Sequence, residues 1–325
     1  MTGAIWVIGE SKGQGVARVS AEAATLARSL GCVSARDVVG VITGATPESG
    51  ARDLATYVPR VLAVQVPEAA GHAYAAAVAP VLAALVNSER PRYLLMGATP
   101  DGRDLAGMLS ALLGWGVLVN AGGVEWSGGA PSVEMSVFGG RIITTSTFTD
   151  EHGIITLRPN SVAAEPAGAA GEVESVTVSR SPALPLVAIR ERTSETSSEV
   201  PVEEASVIVA GGRGIGGPEG LSLVQELAHA LGGAVGATRP AVDSGWIPYG
   251  QQIGQTGKTV KPKLYVALGI SGATQHIVGI LGAETILSIN RDREAPITEL
   301  SDLAIIGDLF QVGPAILHAL RARTS

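Results

Sequence analysis

The chain has 325 residues, 46% of them hydrophobic and only 16% charged, with 30 acidic against 23 basic side chains and a net charge of −7. That length predicts two domains rather than one. An acidic chain with 4% aromatic residues lacks the basic face and stacking platforms of a nucleic-acid binder, and its one cysteine, Cys32, excludes an internal disulfide.

The first ~115 residues alternate short apolar runs with helical patterns. Ile5–Ile8, Val38–Ile42, Val61–Val66 and Tyr93–Met96 read as buried strands, and Val19–Leu30, His72–Val86 and Asp101–Leu113 as helices. This alternation predicts a parallel α/β sheet. Asp101 or Thr99 can cap the helix that leads into Leu105 and Leu109. Cys32, with no CxxC partner and at a helix end, is expected to be a small buried residue. The longest apolar stretch, near Ala73–Val86, is too short to span a bilayer, so no membrane insertion is expected. The first residues run straight into a strand pattern without a signal or transit pattern, which with the lone cysteine predicts a cytoplasmic protein.

From residue 115 to 180 the texture changes to short, β-branched, turn-bounded runs: Val133–Phe138, Arg141–Thr147, Ile154–Leu157 and Val173–Val178. They predict a small antiparallel group on the first domain, which is set at 1–190. Residues 190–204 are polar and without periodicity, and read as a linker. The alternation restarts in a second domain, 205–325. Strands are expected at Ser206–Ala210, Val235–Ala237, Lys263–Leu268, Thr285–Ile289 and Leu303–Ile306. Helices are expected at Glu219–Leu231, Thr274–Leu281 and Leu309–Leu320.

The polar residues of the second domain follow its strands. Parallel sheets bind ligands outside the carboxyl ends of their strands. After the five strands come Gly212-Arg213-Gly214, then Thr238-Arg239 with Gln255-Thr256-Gly257, then Ser271-Gly272-Ala273 with Gln275-His276, then Asn290-Arg291, then Gly307-Asp308. Glycine lets backbone approach a ligand, and helix starts add positive dipole ends. A nucleotide-sized site is the expectation. Gly212-x-Gly214-x-x-Gly217 matches a dinucleotide fingerprint, but Arg239 stands where NAD binding wants an acid, which favours NADP or another phosphate ligand. Gly257-Lys258-Thr259 is not a P-loop, because no apolar strand precedes it and Pro262 follows. Asp308 doubles as a helix cap, and Arg213 and Arg239 suit anions or surface ion pairs. No metal-ligand spacing or catalytic triad is evident, which suits a cofactor that does its own chemistry. An NADP-dependent oxidoreductase and a non-catalytic nucleotide-binding module both remain open on these grounds.

The run Leu264-Tyr265-Val266-Ala267-Leu268-Gly269-Ile270-Ser271-Gly272-Ala273-Thr274-Gln275-His276, with Gly279 and Ile289-Asn290, resembles the alpha subunit of electron transfer flavoproteins. Gly211–Gly214, Val235–Arg239, Val242–Gly245, Ile253–Lys258 and Asp308–Phe310 flank it in the family's order. The likeness is looser in the first domain, where Asp101–Ala106 looks like the family's helix start. The resemblance implies two α/β domains, the C-terminal one a doubly wound, Rossmann-like FAD-binding domain. It implies a heterodimer with a beta subunit, one FAD, and an electron carrier without substrate turnover. Electrons would come from acyl-CoA dehydrogenases or similar flavoenzymes and pass through an anionic semiquinone to a quinone oxidoreductase. The partner subunit would hold AMP or a second FAD.

By the same resemblance Arg239 would lie against the isoalloxazine, with Gln255, Thr256 and Ser271 near its polar edge. His276 would meet the flavin O2 side. Gln275, Gly272 and Ala273 would serve the ribityl and pyrophosphate region, and Asn290 and Asp308 the adenosine end. Arg213 would stand at the subunit or cofactor boundary, and Thr238, Gly257 and Leu309 complete the set. Thr238 replaces a frequent serine and keeps the hydroxyl; Thr274, Ser288 and Arg291 also depart from the family's usual residues.

Overall fold

The computed structural model describes residues 3–137, 142–178, 185–191, 202 and 205–324. The chain divides into two compact units, Met1–Arg192 and Thr193–Ser325. In the first, β1 (Ile5–Gly9) precedes a hairpin of β2 (Ser11–Lys12) and β3 (Gly15–Val16). Then come α1 (Arg18–Ser34), β4 (Val38–Gly44), α2 (Glu48–Leu54), β5 (Arg60–Gln65), α3 (Tyr74–Glu89), β6 (Tyr93–Gly97) and α4 (Pro100–Leu113). The unit continues through β7 (Val117–Ser127), β8 (Ala130–Val137), β9 (Ile142–Ser146), β10 (Gly153–Leu157) and β11 (Glu172–Val176).

These strands, apart from the hairpin, form one nine-stranded sheet in the order β11-β5-β4-β1-β6-β10-β7-β8-β9. Apolar runs buried on both faces are what a helix-covered parallel sheet requires. Trp6, Ile8, Leu94 and Met96 face α3 and α4, while Ile5, Val7, Tyr93 and Leu95 face α1 and α2.

The expected antiparallel group between 115 and 180 is only partly present. β7, β8 and β9 pair antiparallel. Ile154–Leu157 belongs to β10, which lies parallel between β6 and β7 in the sheet interior. All five of its residues are buried, so it needs a strand on each side. Val173 belongs to β11, an exposed edge strand parallel to β5. β7 has no clear strand signature, because Asn120 with φ +56° and Gly122-Gly123 interrupt its pattern. The Thr156 hydroxyl accepts the Asn120 N–H at 2.9 Å where the β7–β10 register shifts. Cys32 is exposed, not buried, since the core-facing stripe of α1 runs through Ala27, Leu30 and Gly31. The expected linker, 190–204, lies almost wholly outside the described residues; Val202 is buried within the core of the second unit.

Thr99 caps α4, its hydroxyl accepting the Gly102 N–H at 2.9 Å and donating to Glu10. Burial raises the Glu10 carboxyl above the usual carboxylate range; the Thr99 hydrogen bond opposes this and Asp101 adds to it. A raised folded-state value means that ionising Glu10 costs stability as pH rises. Glu10→Gln keeps an acceptor for Thr99, so it is expected to raise the melting temperature at pH 7 and to have little effect near pH 4. Melting curves at the two pH values check this.

The second unit holds β12 (Val207–Gly211), α5 (Pro218–Ala230), β13 (Ala234–Ala237), α6 (Arg239–Asp243) and β14 (Leu264–Leu268). It ends with α7 (Thr274–Ile277), β15 (Ile286–Asn290), α8 (Pro296–Leu300), β16 (Leu303–Ile306) and α9 (Leu309–Thr324). All five strands are parallel, in the order β13-β12-β14-β15-β16. Val209, Val235, Val266 and Leu268 pack under α5 and α9 on one face. Ile208, Ala210, Tyr265 and Ala267 pack on the other face with Ile253, Ile280 and Ile297. The sheet is therefore covered on both sides. The expected helix Thr274–Leu281 is only the four-residue α7, followed by turns.

Candidate functional site

In chain order the second sheet runs from its first strand outward to β13, then returns to β14 on the other side. The strand order reverses between β12 and β14, and their carboxyl ends are where an open α/β sheet holds a ligand. Two loops meet there. The Gly212 N–H donates to Leu268 O at 2.9 Å, and the Gly214 N–H to Gly269 O at 3.0 Å. A Cβ on Gly212 would stand 2.4 Å from Gly269 O. The fingerprint glycines therefore allow loop to touch loop, a use that the sequence pattern does not distinguish from ligand approach.

Beside this contact opens a cleft of about 650 Å³, within the range of cofactor sites. Arg213, Thr238, Arg239, Gln255, Thr256, Ser271, Gly272, Ala273, Gln275, His276 and Asn290 all line it. Three expected residues lie outside the lining. Gly257 closes the turn beneath it, its N–H donating to Gly254 O at 3.0 Å. Asp308 is a cap for α9: Oδ1 accepts the Phe310 N–H at 3.0 Å and Oδ2 the Arg291 guanidinium at 2.6 Å. The Phe310 N–H, then Arg291, hold its carboxyl below the usual range. Leu309, the first residue of α9, is buried in the core shared with α5. Pro240, Ile253, Ile270, Asp292 and Ala295 also line the cleft and were not among the expected site residues. Asp292 lies two residues past the end of β15, a position that the strand-end rule could have marked.

Thr238 carries the clearest sign of a missing partner. It is 6% exposed, and its Oγ1 is buried without a hydrogen-bond partner among the described residues. It stands at the N-terminal boundary of α6 but makes no side-chain cap. A buried hydroxyl left unpaired costs about 1–3 kcal/mol, so a ligand atom that bonds it recovers that cost.

His276 is also 6% exposed, and both ring nitrogens have protein partners. Nδ1 lies 3.0 Å from Ile253 O, and Nε2 lies 2.9 Å from the Tyr265 hydroxyl. A carbonyl only accepts, so Nδ1 carries the proton and the neutral ring's Nε2 accepts from Tyr265. Burial pulls the imidazole down to about 4, against a smaller upward pull from Ile253 O. The ring is thus neutral at pH 7, with no spare N–H to offer a ligand. Both ring nitrogens of His276, which the resemblance places at a flavin oxygen, thus have partners within the chain.

Asn290 is similarly occupied, its Nδ2 donating to Ile270 O at 2.8 Å and its Oδ1 accepting the Asp292 N–H at 3.0 Å. It ties the third and fourth loops together. Positive charge comes from two arginines. Arg213 has no ion-pair partner among the described residues. Arg239 lies 3.4 Å from Asp243, both about two-thirds exposed, a geometry that contributes little energy. The helices that begin at the cleft, α6 and α7, have five and four residues, so their dipoles add less than the expected helix starts would. No group of three His, Cys, Asp or Glu among the described residues is placed to hold a metal ion. No described helix is long and apolar enough to cross a membrane.

Comparison with known proteins shows the family of the chain. The family described as "Electron transfer flavoprotein domain" matches residues 5–181, and "Electron transfer flavoprotein FAD-binding domain" matches residues 201–281. The chain is 43% identical to the electron transfer flavoprotein subunit alpha of Mycobacterium leprae over 310 residues, 94% of each chain. It is 36% identical to the subunit of that name from Bacillus subtilis over 318 residues, covering 97% of this chain and 96% of the relative. It is 40% identical to the protein FixB of Bradyrhizobium diazoefficiens over 254 residues, 74% of this chain and 67% of the relative.

Proposed function

Because this chain belongs to the electron transfer flavoprotein alpha-subunit family, we propose that it holds one FAD in the cleft of its C-terminal unit and carries electrons without turning over a substrate of its own. It works as a heterodimer with a beta subunit, which holds AMP or a second FAD. Its donors are acyl-CoA dehydrogenases or similar flavoenzymes, and its acceptor is a quinone oxidoreductase. A cytoplasmic setting accords with one exposed cysteine that has no second cysteine to pair with.

The observation that carries this reading is the buried, unpartnered Thr238 hydroxyl in a cleft at the strand-order reversal. Bound FAD supplies reversible one- and two-electron chemistry, and the chain supplies binding and electrostatics. Thr238 bonds a polar atom of the cofactor. Gln255, Thr256 and Ser271 offer further polar contacts from two loops of the wall. Gln275, with Gly272 and Ala273, borders the cofactor's linking chain, and Asn290 the adenosine end. Arg213 and Arg239 supply positive charge, which favours both a pyrophosphate and a ring that takes on negative charge. His276 fixes the wall through Ile253 and Tyr265.

The test is the visible spectrum and released cofactor of the full chain co-expressed with its beta subunit. One FAD per heterodimer in this cleft is the expected result. A colourless protein that binds NADPH would support the oxidoreductase alternative suggested by Gly212-x-Gly214-x-x-Gly217 and Arg239. Thr238→Val separates ligand from fold. It is expected to weaken FAD binding about tenfold, the value of one hydrogen bond, while the FAD-free protein melts no lower than wild type. Equal FAD affinity in the variant would remove Thr238 from the site.

A further inference from the structure

Gln252 is a buried amide, 2% exposed, one layer behind the cleft wall. It pairs with Ala237 at the end of β13 as an isolated parallel bridge. A buried amide must find hydrogen-bond partners. Here Nε2 donates to Thr256 Oγ1 at 3.0 Å. The loop that carries Thr256 is pinned on both sides. The Lys258 N–H donates to Gln252 O at 2.8 Å, and the Tyr249 hydroxyl donates to Thr256 O at 2.9 Å. A Cβ on Gly257 would stand 2.3 Å from Gln252 O, so the turn fits closely over the Gln252 backbone.

A hydroxyl has one proton to donate and lone pairs to accept with. Gln252 occupies a lone pair of Thr256, so that proton must go elsewhere. Among the described residues it has no acceptor, and Thr256 lines the cleft. We propose that Gln252 is a positioning residue that turns the Thr256 hydroxyl into a dedicated hydrogen-bond donor to an acceptor atom of the bound flavin. The inference rests on the FAD reading given above.

The test is a double-mutant cycle on the FAD-loaded heterodimer, read by flavin midpoint potential and FAD dissociation constant. Gln252→Met removes the amide at similar volume. It is expected to raise the dissociation constant several-fold and to shift the potential negative, in the direction of Thr256→Val. In a Thr256→Val background Gln252→Met is expected to change the potential no further, because the donor it orients is gone. Gln252→Glu, which can only accept when ionised, draws the Thr256 proton to itself and shifts the potential negative as well. Additive shifts in the cycle, or a wild-type potential in Gln252→Glu, would overturn the proposal; the latter means that Oε1 faces Thr256. If Gln252→Met does not fold, Gln252→Glu decides. A wild-type heterodimer that binds no FAD here overturns the functional reading and this inference together. One that binds FAD with a potential indifferent to Gln252 overturns this inference alone.

Discussion

Gly272→Val is expected to unfold or loosen the C-terminal unit and to abolish FAD binding. Gly272 is buried with φ +81°, and a Cβ there would stand 2.3 Å from Ile297 N and 2.8 Å from Ile297 Cα. Both neighbours are backbone, and the Ile297 N–H donates to Ser271 O at 3.2 Å, so neither side can yield cheaply. A β-branched residue also disfavours the left-handed region. Strain and overpacking together cost on the order of 3–5 kcal/mol. The loop that bears Ser271 and Ala273 must move, and the cleft wall moves with it. Gly216→Ala is the control. Its φ is +75°, but nothing lies within 4 Å of its added Cβ, so it pays conformational strain alone, about 1 kcal/mol. Thermal melting and FAD content should separate the two variants: Gly272→Val loses both, and Gly216→Ala keeps its FAD. Near-normal melting of Gly272→Val would show that the α8 backbone does not press on this loop.

Acidification is expected to destabilise the C-terminal unit through His276. Folded, its imidazole titrates at about 4; unfolded, at the ordinary 6.5. Between these values the unfolded chain takes up a proton that the folded chain refuses. Stability is therefore fully present above pH 6.5 and declines as pH falls towards 4, by roughly 3 kcal/mol in all. His276→Gln removes the titrating group. Denaturant unfolding at pH 7 and pH 4.5 should show a smaller acid loss in this variant than in wild type. Equal losses would place the acid sensitivity elsewhere. Tyr265→Phe removes the donor to Nε2, and is expected to cost stability at pH 7, where the neutral ring accepts that bond.

Much of this molecule is legible in its residues. Apolar runs such as Ile5–Ile8 and Leu264–Leu268 mark strands because buried parallel strands are apolar on both faces. The strand-end rule collects the cleft: eleven of the fourteen expected residues line it. That works because strand ends in one parallel sheet converge on one edge, whatever the order of the strands. Patterning does not reveal which strand lies beside which. Ile154–Leu157 reads equally well as part of an antiparallel group, and only the sheet shows it between β6 and β7. Asp308 follows its strand as the other candidates do, yet its carboxylate is consumed by Phe310 and Arg291.

The sequence by itself therefore determined two α/β domains, the sheet edge at which the polar loop residues gather, and the residue types that gather there. Periodicity and glycine placement encode these because they are properties of one strand and its following loop. The tertiary structure decided which polar atoms are still free. His276, which the resemblance places at a flavin oxygen, has partners for both nitrogens within the chain, while Thr238 is buried and unpaired among the described residues. Hydrogen-bond satisfaction depends on partners distant along the chain, such as Ile253 and Tyr265 for His276, and on which end of an amide faces a hydroxyl, as at Gln252. No local pattern carries that information.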